Sequence, residues 1–189
     1  MKSSIGHVFF SGDKFAFFGN RHATLAVLQT LLPEIKFQFL HQVHGACAVK
    51  SQSSDEIKPK ADAHWTNESN LALTIVTADC LPVFIMDDTS PTIAAAHAGW
   101  RGIYSEVISA TLNAMPKRST NLRAFIGPHI LQQSFEVDED VAAKLLNSYQ
   151  EISGQNEDQV FKRQKGSMKT NIALVEIAKL HLQKNGISP

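Results

Sequence analysis

Residues 77–102, with the sequence TADCLPVFIMDDTSPTIAAAHAGWRG, contain two apolar runs separated by a polar segment. The first apolar run, 81–86, consists of β-prone residues, and a second apolar run follows at 92–96. Between them, residues 87–91 are rich in turn-forming types. This pattern predicts two buried antiparallel strands joined by a tight turn.

The predicted hairpin brings a cysteine close to a histidine. If Asp87 faces Ser90 across the turn, the register places Cys80 opposite His97. Opposed residues in such a ladder have Cβ atoms roughly 5 Å apart, so a thiolate and an imidazole can share one metal ion or one proton. A slip of one residue in the register would change the residue opposite Cys80 and would place the two side chains on opposite faces of the hairpin.

The segments around the hairpin predict a mixed fold. A helix is predicted at 103–115, directly after the second strand and ended by Pro116, and His44 is expected at a strand or strand edge. Irregular alternation with a hairpin favours an α/β (mixed α+β) fold, with a layered mixed β-sheet covered by helices, over an all-parallel sheet. Further strands are predicted at 7–10, 37–40, 47–50, 71–77 and 123–126, and further helices at 23–32, 138–148 and 170–185.

Length and charge restrict the class of protein. With 189 residues, the chain suits one domain that buries about two-thirds of its unfolded surface. Eighteen basic and eighteen acidic residues cancel, and no basic stripe is visible. We therefore expect no nucleic-acid partner and no anionic membrane partner, but a small neutral or mildly anionic ligand. The sequence gives no indication of the oligomeric state.

The N-terminus and the cysteines predict a cytoplasmic protein. There is no charged segment followed by an apolar one at the start, and no apolar run near 18 residues, so neither a secretion signal nor a membrane span is expected. In a reducing compartment the two cysteines, Cys47 and Cys80, favour free thiols or a ligand role over a disulfide.

Three residues offer the ligand types of a catalytic zinc site, which usually takes three protein ligands and leaves one position open. They are His44, Cys80 and His97. Each also has a structural interpretation: such a cysteine is usually a small core residue, and a single histidine beside glycine usually holds a structural hydrogen bond. His97 differs because the small residues around it leave room for a ligand.

Three neighbours of this trio are candidates for other roles. Arg101 lies where the loop enters the predicted helix and can bind an anion such as phosphate, or pair with a loop carboxylate. Trp100 can stack on a planar base or pack in the core. Asp79 can act as a general base or only cap a turn.

Five motifs together resemble the YfiH-like family, the laccase-domain proteins now regarded as purine nucleoside phosphorylases with adenosine deaminase activity. They occur in family order over roughly residues 20–185. The motifs are Gln42-Val43-His44-Gly45; Ala61-Asp62-Ala63 leading into Leu71-Ala72-Leu73; Thr77-Ala78-Asp79-Cys80-Leu81-Pro82; His97-Ala98-Gly99-Trp100-Arg101-Gly102; and Ile126-Gly127-Pro128 with Phe135-Glu136-Val137.

The resemblance implies one YfiH-like domain over residues 1–189, with zinc held by His44, Cys80 and His97. The chain departs from the family at both ends. A family N-terminal glycine-rich stretch is replaced, and the family's Cys-Thr and Ser-Tyr-Arg-Arg segments would lie beyond Pro189. We therefore expect an altered N-terminal pocket wall, a domain without the usual C-terminal segment, and a metal site retained more surely than full activity.

The resulting hypothesis is a zinc-dependent purine nucleoside phosphorylase that takes adenosine or a related nucleoside with phosphate, and also deaminates adenosine. Catalysis is assigned to the three zinc ligands and Asp79, and substrate binding to Arg101 and Trp100. Two alternatives stay open: a hydrolase or deamidase with Cys80 as nucleophile beside His97, and a non-catalytic module that binds metal or nucleoside. A multicopper oxidase is disfavoured because the chain has no His-x-His pairs.

Overall fold

The computed structural model describes residues 2–3, 5–116, 121–153, 157–163, 166 and 168–187. The strands are β1 Lys2–Ser3, β2 Gly6–Ser11, β3 Lys14–Gly19, β4 Lys36–Phe39, β5 Ala48–Lys50, β6 Ala63–Thr66, β7 Leu71–Thr74, β8 Leu81–Asp87, β9 Ile93–Ala98, β10 Leu122–Ile126, β11 Glu136–Val137, β12 Phe161–Arg163 and β13 Thr170–Ile172. The helices are α1 Leu25–Leu31, α2 Trp100–Tyr104, α3 Val107–Ala114, α4 Glu139–Ser153 and α5 Leu174–Lys184, with a 3₁₀ turn at Glu157–Gln159.

The predicted hairpin forms the centre of the main sheet. That sheet has the order β10-β8-β9-β6-β5, and it is mixed because β5 and β6 are parallel while the other pairs are antiparallel. Three smaller sheets have the orders β1-β2-β3, β11-β13-β12 and β4-β7. The mixed α/β architecture predicted from the sequence is therefore confirmed.

The register of the hairpin differs from the predicted one by two residues. Pro82, not Cys80, lies opposite His97, and Asp87 donates its backbone N–H to Thr92 rather than facing Ser90. The reason lies in the turn, where the Asp87 carboxylate accepts hydrogen bonds from Thr89 and Ser90 and holds a longer loop. Because side chains repeat every two residues, a shift of two keeps the cysteine on the face of His97.

The main sheet is covered on both faces, which explains why its central strands are almost uniformly apolar. One face, represented by Val83 and Ala96, packs into the large core with α3, α4 and α5. The other face carries Phe84 and Ile93 and contacts the β2–β3 hairpin through Phe18. Burial on both faces favours a continuous apolar run over an alternating one.

Several predicted helices differ from the observed ones. The predicted helix 103–115 is two helices, because Glu106 has a left-handed backbone conformation with φ 59° between α2 and α3. The predicted helix 170–185 begins with strand β13, and α4 runs five residues beyond 148, to Ser153. Strands β1, β3, β6, β11 and β12 were not predicted. None of the helices in the described part of the chain combines the length and apolar composition that a membrane span requires.

Candidate metal centre

Three side chains from different parts of the chain meet at one end of the hairpin. His44, Cys80 and His97 each offer one ligand atom, and these atoms all lie within 4.8 Å of one another. The two imidazole rings are 4.7 Å apart between centroids and nearly perpendicular, at 77°. Within the described residues, this is the one group of three such side chains that the geometry assigns as a possible metal site.

Each of the three residues is held by a different kind of element. His97 is buried near the end of β9. Cys80 is half-buried and immediately precedes β8. His44 is exposed and lies in the loop between β4 and β5 with φ 62°, so its expected place at a strand or strand edge was wrong.

Gly99 makes the close approach of cysteine and histidine possible. If the β8–β9 ladder is continued by one pair, Cys80 lies opposite Gly99. A Cβ atom on Gly99 would lie 2.8 Å from the Cys80 Sγ and 3.3 Å from the His44 Cδ2. Only a residue without a side chain leaves the Cys80 thiol and the His44 imidazole in this position. Because glycine is the residue that faces Cys80 after the two-residue shift, the shift in register preserves the site.

A buried carboxylate, Asp62, connects two of the three residues. Its side chain accepts hydrogen bonds from the backbone N–H groups of Val43, His44 and Gly45, at 3.1, 2.8 and 2.6 Å. It also lies 2.9 Å from the His97 Nδ1. Asp62 is completely inaccessible to solvent, and a buried charge of this kind is stable only when hydrogen bonds satisfy it.

The surroundings shift the pKa of both the carboxylate and the thiol. Burial acts to raise the pKa of Asp62, but the hydrogen bonds from His97, Gly45, His44 and Val43 together lower it below its ordinary value. Burial, followed by the negative charges of Asp79 and Asp62, raises the pKa of the Cys80 thiol. Without a bound cation, the protein therefore disfavours a free thiolate at this position.

The loop that carries His44 is also tied to the segment that leads to the cysteine. The Gln42 side chain donates to the Val76 carbonyl at 2.8 Å and accepts from the Val76 N–H at 2.9 Å. The Gln42 side-chain amide thus pairs with the backbone of Val76 as a neighbouring strand would. This pair of bonds fixes one side of the site relative to the other.

The remaining predicted residues lie close to the trio in sequence, with different exposure. Asp79 is exposed, and its carbonyl accepts a hydrogen bond from the Ile130 N–H. Trp100 is half-buried at the start of α2, and the exposed Arg101 places its guanidinium 4.6 Å from the centre of the Trp100 ring. One face of the indole is therefore covered by a cation.

Sequence reasoning assigned no role to Asp62, and it counted Gly99 only among the small residues that leave room beside His97, although both lie in the quoted motifs. The signal for Asp62 was a single carboxylate between Ala61 and Ala63, because a charge inside an apolar stretch needs a partner. Its partner depends on the pairing of β6 with β9, and β6 was not predicted. The signal for Gly99 depends on the register of the hairpin.

The donor set fits a transition-metal ion. One thiol sulfur and two imidazole nitrogens are the ligands that zinc prefers, and three protein ligands with one open position are typical of catalytic sites. The three ligand atoms lie within 4.8 Å of one another, so these residues would be close enough to hold one ion. The exposure of His44 leaves the site open to solvent on one side.

Comparison with known proteins places the chain in a family. The family model described as multi-copper polyphenol oxidoreductase laccase matches residues 11–189. A purine nucleoside phosphorylase of Pseudomonas aeruginosa is 36% identical over 118 residues, which are 62% of this chain and 48% of the relative. The purine nucleoside phosphorylase YfiH of Escherichia coli is 36% identical over 103 residues, 54% of this chain and 42% of the relative.

Two crystal structures share the fold. A Neisseria meningitidis protein has a TM-score of 0.76 at 28% identity, over 96% of this chain and 75% of that protein. A Bacillus licheniformis protein named YfiH has a TM-score of 0.72 at 26% identity, over 85% and 64% of the two chains. The sequence alignments, in contrast, span about half the length of the relatives named above.

Proposed function

Because the chain belongs to the family described as multi-copper polyphenol oxidoreductase laccase, with relatives named purine nucleoside phosphorylases, we propose that it is a zinc-dependent purine nucleoside phosphorylase. Its substrates are adenosine or related nucleosides together with phosphate. Deamination of adenosine is a second reaction of the same site. The observation that carries this proposal is the convergence of His44, Cys80 and His97.

The three residues hold zinc through one sulfur and two imidazole nitrogens. When bound, zinc supplies Lewis-acid chemistry and lowers the pKa of water. The raised pKa of the Cys80 thiol supports a ligand role over a nucleophilic one, because a nucleophile needs a thiolate without metal. Exposure of His44 allows a substrate to reach the centre.

The residues next to the ligands bind the substrates and move protons. Arg101 is exposed, and its guanidinium suits bidentate contact with phosphate. Trp100 packs partly against the main core and has Arg101 over its ring, and its accessible part contacts the purine base. Asp79 is exposed beside Cys80 and carries the proton during the reaction.

The two proposed reactions place different demands on these residues. In phosphorolysis, a phosphate oxygen forms a bond to C1′ of the ribose while the bond from C1′ to the base nitrogen breaks, and that nitrogen takes up a proton. Arg101 orients the phosphate for this step. In deamination, a water oxygen replaces the amino group of the purine, which leaves as ammonia, and Asp79 transfers the proton.

The experiment is liquid chromatography of adenosine incubated with zinc-loaded protein, with and without phosphate. Adenine and ribose 1-phosphate that form only with phosphate support phosphorolysis, and inosine supports deamination. His97→Asn removes a metal ligand and should abolish both products. His22→Asn, at an exposed histidine, should leave both rates unchanged. No product, under conditions where a relative turns over, would contradict the proposal.

Two other results identify the alternatives. Metal-free protein with a rapidly alkylated Cys80 would indicate a hydrolase or deamidase in which Cys80 attacks and His97 accepts the proton. Nucleoside binding, or stabilisation by zinc, without any product would indicate a binding module. Each result is obtained from the same preparation by metal analysis, thiol alkylation and calorimetry.

A further inference from the structure

We propose that Asp62 is a positioning residue that fixes two of the three metal ligands through one carboxylate. It holds His97 in the tautomer with the proton on Nδ1, and it holds the loop of His44 in its left-handed conformation. This inference rests on the metal centre of the proposed function. It adds a residue that touches neither the metal nor the substrate.

The first part follows from the donors around the carboxylate. Backbone N–H groups of Val43, His44 and Gly45 can only donate, so Asp62 accepts from all three. An acceptor of this kind also requires a proton on the facing His97 Nδ1, 2.9 Å away. The His97 Nε2 is then left with its lone pair for a metal ion. Carboxylates that orient ligating histidines in this way are a general feature of metal sites.

The position of Asp62 is itself well determined. Ala63 pairs with Ala96 in the β6–β9 ladder, so the next pair sets Asp62 opposite His97. The His97 backbone N–H donates to the Asp62 carbonyl at 2.7 Å, and the Asp62 N–H donates to the Cys47 carbonyl at 3.1 Å. Both the backbone and the side chain of this residue therefore contact His97.

The second part concerns the loop of His44. A residue other than glycine rarely adopts a positive φ, and His44 has φ 62°. Three consecutive N–H groups converge on the Asp62 carboxylate in this loop. An anion that accepts successive backbone N–H groups stabilises such a turn. Without it, we expect the imidazole of His44 to leave the position that brings it near Cys80.

A matched control separates this role from a general structural one. Asp87 is also a buried carboxylate beside the central hairpin, where it accepts hydrogen bonds from Thr89 and Ser90 in the turn. It lies at the opposite end of β8 from Cys80. D62N and D87N therefore make the same chemical change in two buried hydrogen-bond networks, of which only one touches the metal ligands.

The first measurement uses metal-free protein labelled with ¹⁵N in histidine. NMR of the wild type and of D87N should show the Nδ1–H tautomer of His97, and D62A, which leaves no side-chain acceptor at this position, should lose this preference. A wild-type His97 with its proton on Nε2 would overturn the proposal. The wild-type spectrum alone can therefore overturn the proposal, even if a variant at position 62 does not fold.

The second measurement is a titration with Co²⁺, followed by its absorption bands and by competition with a chelator. D62N should bind Co²⁺ about 10–100-fold more weakly than the wild type, whereas D87N should stay within about twofold. Equal losses in both variants, or no loss in D62N, would overturn the proposal. Failure of the wild type to bind Co²⁺ or Zn²⁺ would instead contradict the proposed function, while the tautomer of His97 still tests the role of Asp62.

Discussion

Individual residues of the site could be predicted from the sequence where their chemical type, a local pattern or a family motif indicated them. His44, Cys80 and His97 were proposed because they offer the ligand types of a zinc site, because the predicted hairpin brings Cys80 near His97, and because the family motifs contain all three. Asp62 and Gly99 act through geometry: one pairs with a histidine 35 positions away, and the other leaves an empty space beside a sulfur. Long-range pairing of this kind depends on which strands lie side by side, which local patterns do not contain.

Substitution of Gly99 should damage the site more than the fold. In Gly99→Ala, the new Cβ would lie 2.8 Å from the Cys80 Sγ, closer than such atoms approach, so the thiol must move. We expect affinity for Co²⁺ to fall at least about tenfold, or about 1.4 kcal/mol, in a chelator competition assay.

Gly12→Ala is the matched control for this change. Gly12 has φ 61° in the turn between β2 and β3, and no atom lies within 4 Å of an added Cβ. The variant should lose about 1 kcal/mol of folding stability through backbone strain and keep its metal affinity. Unchanged Co²⁺ affinity in Gly99→Ala would show that Cys80 does not hold the metal in the observed conformation.

At the scale of elements, the central strands were predictable and the helix faces were not. Strands β8 and β9 stand out because burial on both sides makes them continuously apolar. The apolar positions of α1, among them Ala26, Val27 and Leu31, have the spacing of one helix side, yet no residue of this helix is buried. Periodicity indicates which side of a helix is apolar, but the neighbouring elements decide whether that side is covered.

This difference predicts unequal effects of two similar truncations. Ile108 of α3 is 1% exposed and belongs to the main core, so Ile108→Ala should cost about 2–5 kcal/mol of unfolding free energy. Leu31 of α1 is 60% exposed, so Leu31→Ala should cost less than about 1 kcal/mol. Urea denaturation measures both. Equal costs would mean that α1 is covered as deeply as α3.

For the whole molecule, a mixed sheet covered by helices was predicted from the order of elements and from the family resemblance. The fold class and the family are both confirmed. The interior also contains two histidines, His64 and His181, that are completely buried. Burial lowers the pKa of His64 to about 3. It also lowers the pKa of His181, an effect that Glu106 opposes and Lys184 reinforces.

These buried histidines predict acid sensitivity. The folded pKa of His64 lies below the unfolded value of about 6.5, so below that pH the unfolded chain binds the proton more readily. The stability that it contributes is complete above about pH 6.5 and is lost as the pH falls toward 3. His64→Asn, which keeps a polar atom for Ser51, should reduce the slope of unfolding free energy against pH by up to about 1.4 kcal/mol per unit between pH 6 and 4.

Urea denaturation of metal-free protein at several pH values measures this slope. His22→Asn is the control, because that side chain is exposed. Equal slopes in the wild type and in His64→Asn would mean that His64 takes up its proton without unfolding.

The zinc content of the purified, zinc-loaded protein, measured after removal of free metal, tests directly whether His44, Cys80 and His97 hold a metal ion. Wild type should contain one zinc ion per chain, and Cys80→Ser should contain essentially none. Cys47→Ser is the matched control, because it removes the other cysteine, which is exposed and outside the trio. It should keep the zinc. A wild type without zinc, or a Cys80→Ser variant that retains it, would contradict the assignment of His44, Cys80 and His97 as a metal centre.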